Sequence, residues 1–346
     1  MLRRTFIRHS CALSLLTMTG ESLQSFVAGS RQWRSGEAIM PVLFVGHGAP
    51  LYTLDDNRYS RAWRALADTM PRPRAVVCIS SHWLTRGSYV TAMDVPRTTH
   101  DFGRIDDRLF DIQYPAAGDP ALAQEVAQAL TALHVEEDHR WGLDHGCWCV
   151  VRCMYPDADV PILQFSIDYS RDARHQYEVG RQLGFLREKG VLILCSGNIV
   201  HNLRLLRFPE ESTYDWALEA DDLLARYIET GDHDRLIAYE QLGTAVRMSV
   251  PTPDHYYPLL YALGLQRPGD RVSFPVSGIS YSSTSMRSVL LQPGEADLAA
   301  LGQVPAYAKS PAGAGLELCD RCLVNGRGAA GGCAAGGCAA GCRRCR

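Results

Sequence analysis

Val42-Leu43-Phe44-Val45-Gly46-His47-Gly48-Ala49-Pro50 is the stretch on which the reading of this chain turns. Four apolar residues make a short buried strand, and the Gly-His-Gly that follows lets the backbone turn sharply at its end. The imidazole of His47 then projects from the sheet edge, where loops carry function. The arrangement recurs downstream. Ala75 to Ile79 runs into Ser80-Ser81-His82-Trp83, and Val191 to Cys195 runs into Ser196-Gly197-Asn198-Ile199-Val200-His201-Asn202. Three strand ends are expected to present one imidazole each.

Further strands are predicted over Tyr89 to Ala92, Val160 to Ile167, Val272 to Val276 and Met286 to Leu291. Helices are predicted over Arg58 to Ala67, Pro120 to Leu133 after Asp119 as cap, Ala173 to Arg187 and Trp216 to Glu229. Seven strands interleaved with helices predict an α/β fold: one layered domain, residues 40–293, with a central mixed sheet flanked by helices. Two strands follow one another around Trp83 to Tyr89, so some antiparallel pairing is expected.

Outside that span the character changes. Residues 294–346 form a Gly, Ala, Cys and Arg tail that cannot build a core and is predicted to be disordered. Cys319 and Cys322 have the spacing of half a zinc knuckle, but no histidine accompanies them, no large apolar residue follows Gly326, and unselected GC-rich sequence is the preferred reading. Residues 1–39 carry Arg3-Arg4 ahead of a short apolar run, Cys11 to Met18, which resembles a twin-arginine export signal to the periplasm. The alternative is an upstream extension with Met40 as the start, and a cytoplasmic protein. The apolar run is too short for a stable membrane anchor.

With 35 basic and 38 acidic residues, a formal charge of -3, the chain has neither the basic field of a nucleic-acid binder nor a polybasic membrane patch. A small molecule is the expected partner. Cys78, Cys153 and Cys195 read as buried apolar residues, Cys147 and Cys149 flank Trp148 in a stretch that packs equally well, and no disulfide framework is implied. No Gly-x-Ser-x-Gly elbow or phosphate-cradling glycine loop is present, which disfavours serine nucleophile chemistry.

The histidines carry the remaining signal. Thr252-Pro253-Asp254-His255 reads as a helix start with Thr252 as cap, so His255 too has a fixed direction. A lone histidine is usually satisfied by hydrogen bonds, but four in such contexts point to a metal site with open positions, suited to Fe(II) or Zn(II). His145, beside Asp144, reads as an acid/base group next to that site, and His100 is ambiguous.

At these residues the chain closely resembles the class III extradiol ring-cleavage dioxygenases, in the bacterial part of their 4,5-DOPA dioxygenase branch. The match runs through Phe44 to Pro50, Ser80 to Trp83, Thr99-His100-Asp101-Phe102-Gly103, Gly142 to Gly146, Ser196 to Asn202 and Pro251 to Tyr256, within Pro41 to Leu291. The resemblance implies that His47, His82 and His255 hold one divalent metal, Fe(II) in catalysis or Zn(II) as bound. It implies that His201 is a fourth ligand or an acid/base group, and it leaves His145 as the other proton-handling residue. The ligand set lacks the carboxylate of the usual two-His-one-carboxylate triad. The implied reaction inserts both atoms of O2 into a catechol such as L-DOPA. Its product is a yellow muconic semialdehyde, 4,5-seco-DOPA, which cyclises to betalamic acid. Two other readings remain open at this point: a zinc-dependent hydrolase on the same histidines, and a binding module built on the cysteine tail.

Overall fold

A computed structural model describes residues 39–207 and 212–294; the twin-arginine segment, the cysteine tail and the proposed disorder of both ends lie outside the described residues. The strands are β1 (Val42–Gly46), β2 (Ala75–Thr85), β3 (Tyr89–Thr91), β4 (Glu136–Asp138), β5 (Ile162–Asp168), β6 (Val191–Gly197), β7 (Arg271–Val276), β8 (Ile279–Ser280), β9 (Thr284–Ser285) and β10 (Ser288–Gln292). Eight of them form one sheet in the order β4-β3-β5-β2-β6-β1-β10-β7, and β8 pairs with β9 as a separate hairpin.

The middle of the sheet is parallel. Strand β2 pairs in parallel with β5 and β6, and β1 with β6, so these strands point their C-terminal ends to one edge. Antiparallel pairs appear where β10 meets β1 and β7, and where β3 meets β5. The expected mixed sheet is therefore present, but the consecutive strands β2 and β3 are not neighbours, because β5 lies between them.

Alternating residues of the central strands enter two cores, which is why these strands read as continuous apolar runs. Val42, Phe44, Val77, Ile79, Ile193 and Cys195 face one core, shared with α2 (Pro120–Ala129), α4 (Ala173–Gln182), α5 (Asp215–Thr230) and α8 (Tyr257–Gly264). Leu43, Val45, Val76, Cys78, Leu192 and Leu194 face the other, filled by Trp63 of α1 (Arg58–Thr69) and Trp148 of α3 (His145–Met154). The short helices α6 (His233–Ile237) and α7 (Thr244–Ser249) follow α5. Cys78, Cys147, Cys149, Cys153 and Cys195 are buried and unbridged. Among the described residues no helix is long and apolar enough to cross a membrane.

Several expectations need correction. The helix predicted from Pro120 to Leu133 ends at Ala129 and tightens into a 3-10 turn, with His134 in the left-handed region at φ 50°. That predicted from Ala173 to Arg187 changes at Leu183 into a 3-10 stretch closed by Gly190. Thr252 caps nothing, since α8 starts only at Tyr257, and His255 stands in the turn before it. Helix α3 was not expected. Its nearly complete burial removes the polar face on which periodicity depends, and only the cap formed by Asp144, which accepts from the Cys147 N–H, marks its start.

Candidate metal centre

The parallel strands deliver the histidines to the edge of the sheet where open α/β sheets bind ligands, beyond their C-terminal ends. His47 directly follows β1, and its N–H reaches the Gly197 carbonyl at the end of β6 at 3.2 Å. Gly48 adopts φ 60°, a conformation that suits glycine, and turns the chain away. His82 sits inside β2 rather than beyond it, at an irregularity between Ile79 and Leu84 where pairing with β5 shifts register. Irregularities of this kind are common beside sites, where they re-aim side chains. His255 arrives from the other side. Its carbonyl accepts the Asn198 N–H at 2.8 Å and packs so closely on Gly197 that any side chain there would collide with it.

His47, His82 and His255 offer ring nitrogens that all lie within 4.8 Å of one another. Their outer partners assign the tautomers. Ser196 gives its hydroxyl proton to the Gly146 carbonyl, so at 3.0 Å it accepts from His47 Nδ1. His82 Nδ1 faces Asp101 Oδ2 at 3.5 Å, and His255 Nδ1 makes a short contact with Asp254. Each Nδ1 thus has an oxygen neighbour, the arrangement that leaves Nε2 to face a metal. The consequence is electrostatic: in that arrangement His47 Nε2 and His82 Nε2 bring two lone pairs together at 3.2 Å. Two such nitrogens repel unless a cation lies between them, and donors bound side by side at about 2.1 Å from one ion are about 3 Å apart. The donor set fits a metal.

Burial, and then the neighbouring rings, push the His47 and His82 pKa values well down. His201 is pushed down to about 2, first by burial and then by His255. These rings are therefore neutral, as metal ligation requires. Burial alone would raise the Asp101 pKa, but its contacts with His145 outweigh that and lower it; burial likewise opposes the lowering that His255 imposes on Asp254. Both carboxylates are charged behind the ligand rings.

His201 lies beyond β6 in a bridge with Thr284 of β9, its ring stacked on His255 at 3.5 Å between centroids and 11° between planes. It groups with Asp254 and His255, and is not part of the His47, His82 and His255 triple. His145 opens α3 with its ring 3.8 Å from that of His82. Its carboxylate neighbour is not Asp144 as the sequence suggested. Asp144 is bound by Ser80 at 2.7 Å, Gln164 at 2.7 Å and Trp141 at 3.2 Å, while Asp101 Oδ1 lies 3.0 Å from His145 Nδ1. His100 binds the Ile112 carbonyl at 3.1 Å among Phe102, Phe110 and Trp148, a packing position. Sequence reasoning quoted Asp101, Ser196 and Asp254 within its motifs but gave them no role. The one available signal was that each is a short polar residue within a histidine-bearing stretch.

Comparison with known proteins bears on this arrangement. Residues 43–291 match the family model described as the catalytic LigB subunit of aromatic ring-opening dioxygenase. The chain is 46% identical over 257 residues to a 4,5-DOPA dioxygenase extradiol of Escherichia coli K12, covering 72% of this chain and 94% of that one. It is 32% identical over 237 residues to a 4,5-DOPA dioxygenase extradiol of Beta vulgaris, covering 66% and 88%. A crystal structure of an uncharacterized Escherichia coli K12 protein superposes with a TM-score of 0.63 at 42% identity, over 72% of this chain and 99% of that one.

Proposed function

The chain belongs to the family of the catalytic LigB subunit of aromatic ring-opening dioxygenases, and from that premise we propose that it cleaves a catechol such as L-DOPA on Fe(II) held by His47, His82 and His255. That it is an extradiol ring-cleaving dioxygenase acting on a small aromatic substrate with O2 follows from the family; the metal, the substrate and the residue roles are our reading. Three convergent histidine ring nitrogens carry it. A hydrolase would use the same imidazoles on a bound water, but the family's chemistry is ring opening.

Bound Fe(II) would supply the electron path that lets a singlet catechol react with triplet O2. The protein's own residues do the rest. His47, His82 and His255 would hold the metal on one side, and the strand ends and turn that carry them keep the rings in place. His145, with Asp101 beside its Nδ1, is placed to take a catechol proton at Nε2 and to return it as the ring opens. His201, kept neutral, offers its ring N–H to a substrate or oxygen atom while its stacking steadies His255. The DOPA assignment is supported by relatives of that name in a bacterium and a plant.

Oxygen uptake over a panel of catechols, after anaerobic loading with Fe(II), tests the reading. One O2 should be consumed per L-DOPA with a yellow product, and Zn(II)-loaded protein should be silent. Turnover with Zn(II) and none with Fe(II) would refute it.

A further inference from the structure

We propose that Asp101 is a single carboxylate that orients both a metal ligand, His82, and the proton-handling residue, His145, so that the two act as one unit. The inference rests on the reading of the site given above. Asp101 Oδ2 faces His82 Nδ1 at 3.5 Å, while Oδ1 accepts the His145 backbone N–H at 2.9 Å and lies 3.0 Å from His145 Nδ1. A carboxylate has about four lone-pair directions, enough for the backbone N–H it accepts and for the two ring nitrogens beside it.

The loop that carries Asp101 is fixed independently of the histidines. Thr99 N–H donates to the Leu143 carbonyl at 2.7 Å, Leu143 N–H to the Arg97 carbonyl at 2.8 Å, and Trp148 Nε1 to the Thr99 carbonyl at 2.9 Å. The carboxylate is thus a rigid reference point rather than a side chain that follows its partners. With Nδ1 of each ring turned to Asp101, Nε2 of His82 points at His47, and Nε2 of His145 is left for substrate. The rings sit 3.8 Å apart, so a pivot of one displaces the other. Gly146 completes the fit: a Cβ there would stand 3.0 Å from His82 Cδ2. Carboxylates behind ligand histidines are general in metal sites; here one serves two rings with different duties. It also puts negative charge beside a ligand set that contains no carboxylate.

The test compares Asp101→Asn with Ser196→Ala, which removes the partner of His47 Nδ1 and the hydroxyl that donates to the Gly146 carbonyl. Co(II) affinity is read by chelator competition on the whole protein, and kcat and KM for L-DOPA at saturating Fe(II). Asp101→Asn should weaken Co(II) binding about 10- to 100-fold and, with metal saturating, still lose most of kcat while KM stays close to wild type. Ser196→Ala should weaken Co(II) binding but, with metal saturating, lose far less of kcat than Asp101→Asn does. Asp101→Glu should recover part of both properties. If the Asn variant does not fold, Asp101→Ser, too short to span both rings, carries the same expectation. Wild-type affinity and turnover, or loss of only one of the two, would overturn the shared role. Failure of the site itself shows separately: His82→Ala would then bind Co(II) like wild type.

Discussion

At the scale of single residues, ligands and proton carriers should fail differently. Replacing His47 or His82 by Ala removes a donor, so bound metal and activity should fall together, with excess Fe(II) restoring part of each. His145→Ala should keep its metal and its catechol binding while turnover drops by about a hundredfold to ten-thousandfold. Metal content by elemental analysis beside single-turnover kinetics separates the two cases, and a metal-free His145→Ala protein would contradict the assignment. His201→Ala should lose some metal and nearly all activity, because the stacked ring both supports His255 and faces the reactants. Wild-type turnover there would misplace the site. The histidines themselves were legible in the sequence, since Gly, Ser and Asn around a lone imidazole at a strand end are local signals. Their outer partners were not. Ser196 is bound to His47 across 149 positions, and Asp101 lies 44 from His145 and 19 from His82, so only the folded sheet brings them together.

At the scale of elements, the site depends on how closely two backbones approach. Gly197→Ala puts a methyl group into the His255 carbonyl, and should displace His255 and lower both metal affinity and thermal stability. Thermal melts with and without Fe(II) would check this: the metal-induced rise in Tm should shrink, and an undiminished rise would show that His255 had not moved. Far from the site, Arg187 is fully buried, donating to the Met40 and Leu265 carbonyls at 2.8 Å each and to Asp270 at 2.7 and 3.0 Å. Asp270→Ala strands that guanidinium, and should cost about 3–5 kcal/mol in a urea denaturation experiment. The central strands were readable because both faces are buried, which makes them unbroken apolar runs. Strand β4, Glu136–Asp138, is short, acidic and largely exposed, and pairs in the sheet with β3 alone, so no local pattern could show it.

At the scale of the whole molecule, gathering neutral histidines in the interior makes stability depend on pH. His47, His82 and His201 are all lowered from the ordinary 6.5, His201 to about 2. As pH falls through about 6.5 the unfolded chain takes up protons that the folded metal-free protein does not, so stability is greatest above that value and declines below it. Urea midpoints of metal-free protein should therefore be lower at pH 5.0 than at pH 7.5; equal midpoints would mean that these rings are not held neutral. The α/β class followed from strands alternating with helices, whereas the strand order could not, because β5 is inserted between β2 and β3 by a crossover no motif announces. Isotope labelling decides whether O2 cleaves the ring at the three-histidine centre. Fe(II)-loaded protein is given L-DOPA under 18O2, and the product is quenched at once with borohydride to stop exchange of the aldehyde oxygen. Two 18O atoms are expected in each ring-opened product, with much less product from His47→Ala. Oxygen drawn from water, or labelled product undiminished in His47→Ala, would contradict that reading.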